Sequence, residues 1–501
     1  MSIRRNILAN YVGQLYATLI GILLVPQYVR YMGVEAYGLV GFYTMLQGWF
    51  MLLDMGLTPT LGRETARFNG GAIGALELRR LLRAFEGMFL VLGAVGALVL
   101  IVSAAPLAER WLTVQRLDVV EVQRAIMLMA MIVALRWICG LYRGAVTGFE
   151  RIVWLSGFNV TIATLRFVLV IPFLIYVGST PSHFFAFQLS IATLEAAVLI
   201  GKTYRLLPSV EFPGRIGWSW QPVRSVWRFA LSAAFTSLIW VLVTQTDKLI
   251  LSGLIPLTDY AYFTLAVLVA SGITVLSSPI TSVILPRLTK LNAQGDEAGL
   301  VLLYRGATQM VTVIAVPIVL VLAFFPSQVL TAWTGQPEVA ASAAPVLTLY
   351  AVGNGILALA AFPYYLQVAR GELTLHVVGN VLFVLLFVPL LLWAVSNFGM
   401  IGAGYAWIIA NLLPFLVWLP IVHRRYLAGL HFAWLKKDIG AIVVLPAISA
   451  GLVLRLVDWP STRGWLVAAL LVVYLGLTAL AAGSSSTVRG RLSSRARPGI
   501  V

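Results

Sequence analysis

Long apolar runs separated by short polar stretches recur from one end of the chain to the other. Apolar runs of about eighteen residues or more mark helices that cross a bilayer, since roughly 20 residues span its hydrocarbon core. Read this way, spans 1 to 14 fall near 8–29, 37–61, 84–105, 124–146, 153–177, 183–202, 229–252, 260–285, 307–328, 341–366, 373–396, 401–422, 438–455 and 463–482. A single soluble core would leave its surface helices with charged faces, which these runs lack. The pattern predicts an all-α polytopic membrane protein. The first run follows a basic start, has no small-x-small cleavage site, and reads as a retained span.

Composition supports the pattern: 60% of residues are hydrophobic and 11% charged, against about 25% charged in soluble domains. The net charge of +16 would suggest a nucleic-acid partner if it lay on one soluble face. Instead the Arg and Lys residues sit in alternate connections. Arg63, Arg67, Arg79, Arg80 and Arg83 follow span 2, Lys202, Arg205, Arg215, Arg224 and Arg228 follow span 6, and Arg424, Arg425, Lys436 and Lys437 follow span 12. Connections after spans 5, 9 and 11 carry no Lys or Arg. Positive charge marks the cytoplasmic side, so both termini are expected there and no nucleic-acid partner is expected. Basic residues of the tail are placed to meet anionic membrane lipids.

Displaced by 224 residues, the chain partly matches itself: Arg4 falls on Arg228, Glu35 on Asp259, Arg63 on Arg287 and Thr65 on Thr289. The shift covers six spans, an even number, so the halves should be parallel repeats about an axis along the membrane normal. The expected organisation is a six-helix lobe at 1–205, a cytoplasmic, partly interfacial linker at 206–228, a second six-helix lobe at 229–425, two appended helices at 426–484, and a basic, disordered tail at 485–501. Two lobes around a cleft point to transport.

Ionisable residues inside a membrane are costly and mark functional sites. The candidates are Asp54 in span 2, Arg136 and Arg143 in span 4, Arg166 in span 5, Glu195 in span 6, and Asp247 with Lys248 in span 7. Arg136 and Arg143 are seven residues apart and share a helix face; with Arg166 they would offer a cleft a cationic patch. Guanidinium groups suit phosphate oxygens because their fork makes paired charge-assisted bonds. Asn10, Gln14 and Thr18 form a polar stripe on span 1, fit to line a cavity or to bond between helices. Lys248 lies near a span end and is expected to snorkel as an anchor; Asp247 is expected to face the cleft. Cys139 is alone and reads as packing, the four His residues are scattered, and HExxH, CxxC and Walker loops are missing, so no metal site and no enzyme are expected.

The stretch YMGVEAYGLVGFYTMLQGWFMLLDMGLTPTLGRETAR resembles the bacterial polysaccharide and O-antigen flippases, the polysaccharide transporter branch of the multidrug/oligosaccharidyl-lipid/polysaccharide exporter superfamily. The resemblance rests on Gly33, Glu35, Tyr37 and Gly38, then Asp54, Gly56 and Arg63, then Thr246, Asp247 and Gly253, Pro286 and Arg287 at the end of span 8, and the GMIGAGYAW run at 399–407. It covers about residues 1–480. It implies a flippase in the bacterial inner membrane that moves an undecaprenyl-pyrophosphate-linked oligosaccharide to the periplasmic leaflet, for O-antigen or exopolysaccharide synthesis. A polysaccharide polymerase and a chain-length regulator are the implied partners. The resemblance implies no cofactor; the gradient of a proton or Na⁺ is a candidate driving force, with Asp54 or Asp247 as ion site. Trp240, Tyr16 and Tyr43 are candidates for stacking on sugars. The alternatives are a lipid II flippase, a multidrug or cation antiporter, which the Arg content disfavours, and a non-transporting scaffold of a polysaccharide assembly complex.

Overall fold

A computed structural model describes residues 3–209 and 221–495 of the chain. Most of the expected linker and the last six residues of the tail lie outside the described residues. What is described is helical throughout, with one isolated backbone bridge, between Thr113 and Pro256, and no strand among the described residues. Twelve helical segments among the described residues are long and apolar enough to cross a membrane. The chain divides into two compact units, Met1–Ala261 and Tyr262–Val501.

In the first unit α1 (Ile3–Leu23) hands over to α2 (Val25–Met32) beside Pro26, a residue tolerated in a first helical turn. The next helix, α3 (Val34–Phe50), is not continuous with α4 (Leu57–Asn69), as span 2 had suggested. Between them lies a 3₁₀ turn at Met51–Asp54, followed by Met55 and Gly56, both left-handed with φ of 46° and 71°. That conformation cannot propagate a right-handed helix. After α5 (Ala75–Val102) comes α6 (Val119–Gly148), the central rod, which packs against α3, α4, α5 and α9 (Pro181–Leu206). Its crossing with α4 is close because Gly144 lies against the Thr58 carbonyl, where a Cβ would fall 2.6 Å from the oxygen. Small residues let backbones meet this way inside membranes. α7 (Ile152–Phe167) and α8 (Val170–Tyr176) complete the first six spans, and α10 (Gln221–Leu254), at the position of span 7, packs on α3, α4 and α5.

The second unit takes up α11 (Leu257–Ala293) after its first turn. Pro286 and Arg287 are exposed within this helix, not at its end, which corrects the expected boundary of span 8. α12 (Glu297–Phe324), α13 (Pro326–Thr334) and α14 (Pro337–Arg370) follow, and then α15 (Thr374–Tyr426), 53 residues long. A straight helix of that length would extend about 80 Å, more than twice a bilayer core of about 30 Å. Gly399, at φ 59° and ψ −142°, divides it into two rods at the positions of spans 11 and 12, with backbone angles open essentially to glycine alone. The appended α16 (Ala441–Leu456) and α17 (Arg463–Ser484) bury Ala450, Leu466, Leu470 and Leu477 against Val316, Leu320 and Phe325.

A buried polar knot ties the chain end to α12. Asp438, fully buried, accepts from Arg305 Nε at 2.7 Å and from Gln309 Nε2 at 2.7 Å, while Gln309 Oε1 accepts from Ser485 Oγ and the Thr487 amide. Where composition had suggested disorder, α18 (Ser486–Arg495) is a helix whose first turn this knot holds. Each unit also uses one device at matching places. Asn69 Nδ2 donates to the Gly148 carbonyl (2.9 Å), and Asn292 Nδ2 donates to that of Ala369 (3.0 Å).

Candidate functional site

Four helices of the first unit line an open cavity of about 430 Å³. From α1 come Asn10, Gln14 and Thr18, the predicted stripe, with Gly13 and Ala17 beside them. Opposite, α7 offers Ser156, Asn159, Ala163 and Arg166, at the three- to four-residue spacing that places side chains on one helix face. Arg136 and Arg143 descend from α6, two turns apart, and Glu195 projects from α9. All three arginines and the acid named from sequence therefore meet in one place, together with the span 1 stripe.

The charges are arranged unequally. Arg143 bonds the Asn159 Oδ1 through Nη1 and the Glu195 Oε1 through Nη2. Arg136, 15% exposed, has Nη2 3.7 Å from Glu195 Oε2 and donates from Nη1 to the Tyr43 hydroxyl at 3.2 Å. Tyr43 is buried on α3, steadied by Gln47 Nε2 at 2.9 Å and by the edge-to-face ring of Phe185. It holds the arginine rather than offering a face to a sugar. Arg166 differs. Its guanidinium lies 4.2 Å from the Phe167 ring centre, its buried Nε has no hydrogen-bond partner, and it makes no ion pair among the described residues. Buried polar groups are otherwise almost always bonded.

Three guanidinium groups and one carboxylate line the cavity, leaving it with an excess of two positive charges. Like charges gathered in one cleft attract a counter-charge, so the arrangement suits a compact, doubly charged anion. It opposes an organic cation.

The other candidates lie elsewhere. Asp54 accepts from the Thr58 amide (3.3 Å) and hydroxyl, capping the first turn of α4 after the helix break. Asp247 is buried, and its Oδ1 accepts from the Lys248 amide at 2.8 Å. Neither lines the cavity. Lys248 does not snorkel: its Nζ turns back one helical turn to the Thr244 carbonyl, 2.5 Å away, and lies 3.4 Å from Asp247. Trp240 is exposed and Tyr16 is bonded to Thr164.

The loop motif is structural. Gly33, at φ 88°, separates α2 from α3. Glu35 then accepts three backbone N–H groups, from Gln115, Arg116 and Leu117 at 2.5, 2.8 and 3.2 Å. Gly38 lies against the Leu257 carbonyl, where a side chain would not fit, and Tyr37 is buried. Trp111 Nε1 reaches Ser252 Oγ at 3.0 Å, and the Leu257 amide bonds the Thr113 carbonyl. Gly253 leaves the space that the Trp111 ring fills. Arg63 is half-exposed, 3.5 Å from Glu64. Sequence reasoning missed Asn159, although it lies seven residues before Arg166 and so on its face.

Comparison with known proteins agrees with this architecture. The family model described as polysaccharide biosynthesis protein matches residues 3–292. A Shigella flexneri protein named "Putative O-antigen transporter" is 19% identical over 428 residues, covering 83% of this chain and 97% of its own. Among solved structures, the lipid II flippase MurJ in an inward closed conformation superimposes with a TM-score of 0.68 at 12% identity, over 94% of this chain and 97% of MurJ. An inward-facing multidrug resistance MATE family transporter gives 0.67 at 13%, over 84% and 96%. At such identities these two share the fold. The chain belongs to the polysaccharide biosynthesis protein family.

Proposed function

We propose that this protein is a flippase that carries an undecaprenyl-pyrophosphate-linked oligosaccharide from the cytoplasmic to the periplasmic leaflet of the inner membrane by alternating access, for O-antigen or exopolysaccharide synthesis. The observation that carries this reading is the cationic cavity inside the membrane-spanning helices, with Arg166 unpaired among the described residues. A lipid-linked diphosphate brings one negative charge on each phosphorus, which matches the cavity's excess. Sugars would follow the diphosphate through a polar path while the polyprenyl tail stays in lipid.

Fourteen spans follow when the two rods of α15 count separately and α10 counts as one, and the positive-inside pattern then puts both termini in the cytoplasm. The matching Asn69 and Asn292 bonds support an internal repeat. The driving force would be an ion gradient, the membrane potential or removal of product. Asp54, bonded to Thr58 at the start of α4, or Asp247, buried beside Lys248, would be the ion site. A polymerase and a chain-length regulator would act on the delivered product.

Purified protein reconstituted in liposomes should move a fluorescent lipid-linked oligosaccharide to the opposite leaflet, without moving organic cations. Transport of cations alone would favour a drug exporter, and no transport at all a scaffold.

A further inference from the structure

Glu195 is hard to explain as packing. It is 4% exposed, on a membrane-spanning helix, and its two oxygens meet the very arginines assigned to the substrate. The hold is lopsided. Oε1 is bonded to Arg143, whereas Oε2 lies 3.7 Å from Arg136 and has no hydrogen-bond partner. That distance is an ion pair without a hydrogen bond. A carboxylate placed only to neutralise the arginines would be expected to fork both oxygens onto one guanidinium, the strongest geometry open to it. Here it spans two arginines and leaves a third, Arg166, without an anion among the described residues.

We propose that Glu195 is a tethered stand-in for a substrate phosphate, competing with it for Arg136 and Arg143. This rests on the reading of the cavity as a diphosphate site. In the empty protein Glu195 holds the two guanidinium groups in place and limits the cost of their burial. An arriving diphosphate meets Arg166 first, because no carboxylate competes there, and then takes Arg136, the more weakly held of the other two. When the substrate leaves, Glu195 recaptures both. Its charge also sets affinity: with Glu195 ionised, a doubly charged diphosphate brings the cavity to neutrality, and without it one positive charge remains to retain the ligand. A transporter that bound too tightly would release slowly, because interactions equally strong before and during transfer do not speed it.

The test is binding of inorganic pyrophosphate to the full-length protein in phosphatidylcholine nanodiscs, measured by titration calorimetry, beside translocation in proteoliposomes. Glu195→Gln keeps the shape and removes the charge; it should bind pyrophosphate about tenfold more tightly and translocate more slowly. Glu195→Asp, which keeps the charge but draws it back from Arg136, should tighten binding by a smaller factor, and it serves if the Gln variant does not fold. Equal or weaker binding by the folded acid variants, while Arg166→Gln weakens binding about tenfold, would overturn the stand-in role alone. If Arg136→Gln and Arg166→Gln leave pyrophosphate binding unchanged, the diphosphate reading fails with it. Loss of pyrophosphate binding in phosphatidylglycerol nanodiscs would assign the cavity to a phospholipid headgroup and overturn the proposal in its diphosphate form.

Discussion

Arg143 and Arg166 share a cavity but have different dependencies. Arg143 is bonded to Asn159 and Glu195, so Arg143→Gln strips a buried carboxylate of its best partner. Losing one member of a buried pair costs about 3 kcal/mol, and the variant should melt lower as well as transport poorly. Arg166→Gln removes no protein hydrogen bond through its side chain among the described residues. Its melting temperature should stay within a degree or two while translocation falls at least tenfold. Thermal unfolding in detergent beside a flipping assay separates the two. Glu35 belongs to the fold. Glu35→Ala abandons three backbone N–H groups, each charge-assisted bond contributing about 1.5–3 kcal/mol, and amide exchange at residues 115–117 should accelerate markedly.

Two helix breaks shape the elements. Asp54 lies in an apolar run, and its carboxylate takes the Thr58 amide and hydroxyl in the first turn of a restarted helix. The signal was present three ways, in Gly56, in Thr58 and in Pro59, which falls in the first turn of α4 where proline is at home. Hydrophobicity alone does not carry it. The break at Gly399 falls in a glycine-rich run, and its backbone angles are ones a residue with a Cβ would adopt only under strain. Gly399→Ala should cost about 1–3 kcal/mol, read as a lower melting temperature, with Gly371→Ala, at a helix C-cap of ordinary left-handed φ 73°, costing less.

For the whole molecule, the class of the fold was legible because bilayer thickness prescribes span length, and spans can be counted from apolar runs. The stripe of Asn10 and Gln14 and the pair Arg136 and Arg143 were legible too, since helical periodicity alone puts each set on a face. That Glu195 would sit between two arginines, and that Arg166 would be left over, depends on which helices pack together, which one sequence does not encode locally. Topology can be checked with single cysteines in a Cys139→Ala background, the native thiol being buried. Cysteine at Ser179 or Gly335 should react with an impermeant reagent added outside, and cysteine at Gln294 or Glu372 should not. In the proposed cycle substrate crosses by way of the arginine cavity. The most direct measurement is the rate at which Arg136→Gln/Arg166→Gln protein, reconstituted with normal thermal stability, flips a fluorescent lipid-linked oligosaccharide. A loss of at least a hundredfold is expected, and a rate within twofold of wild type would show that substrate crosses elsewhere.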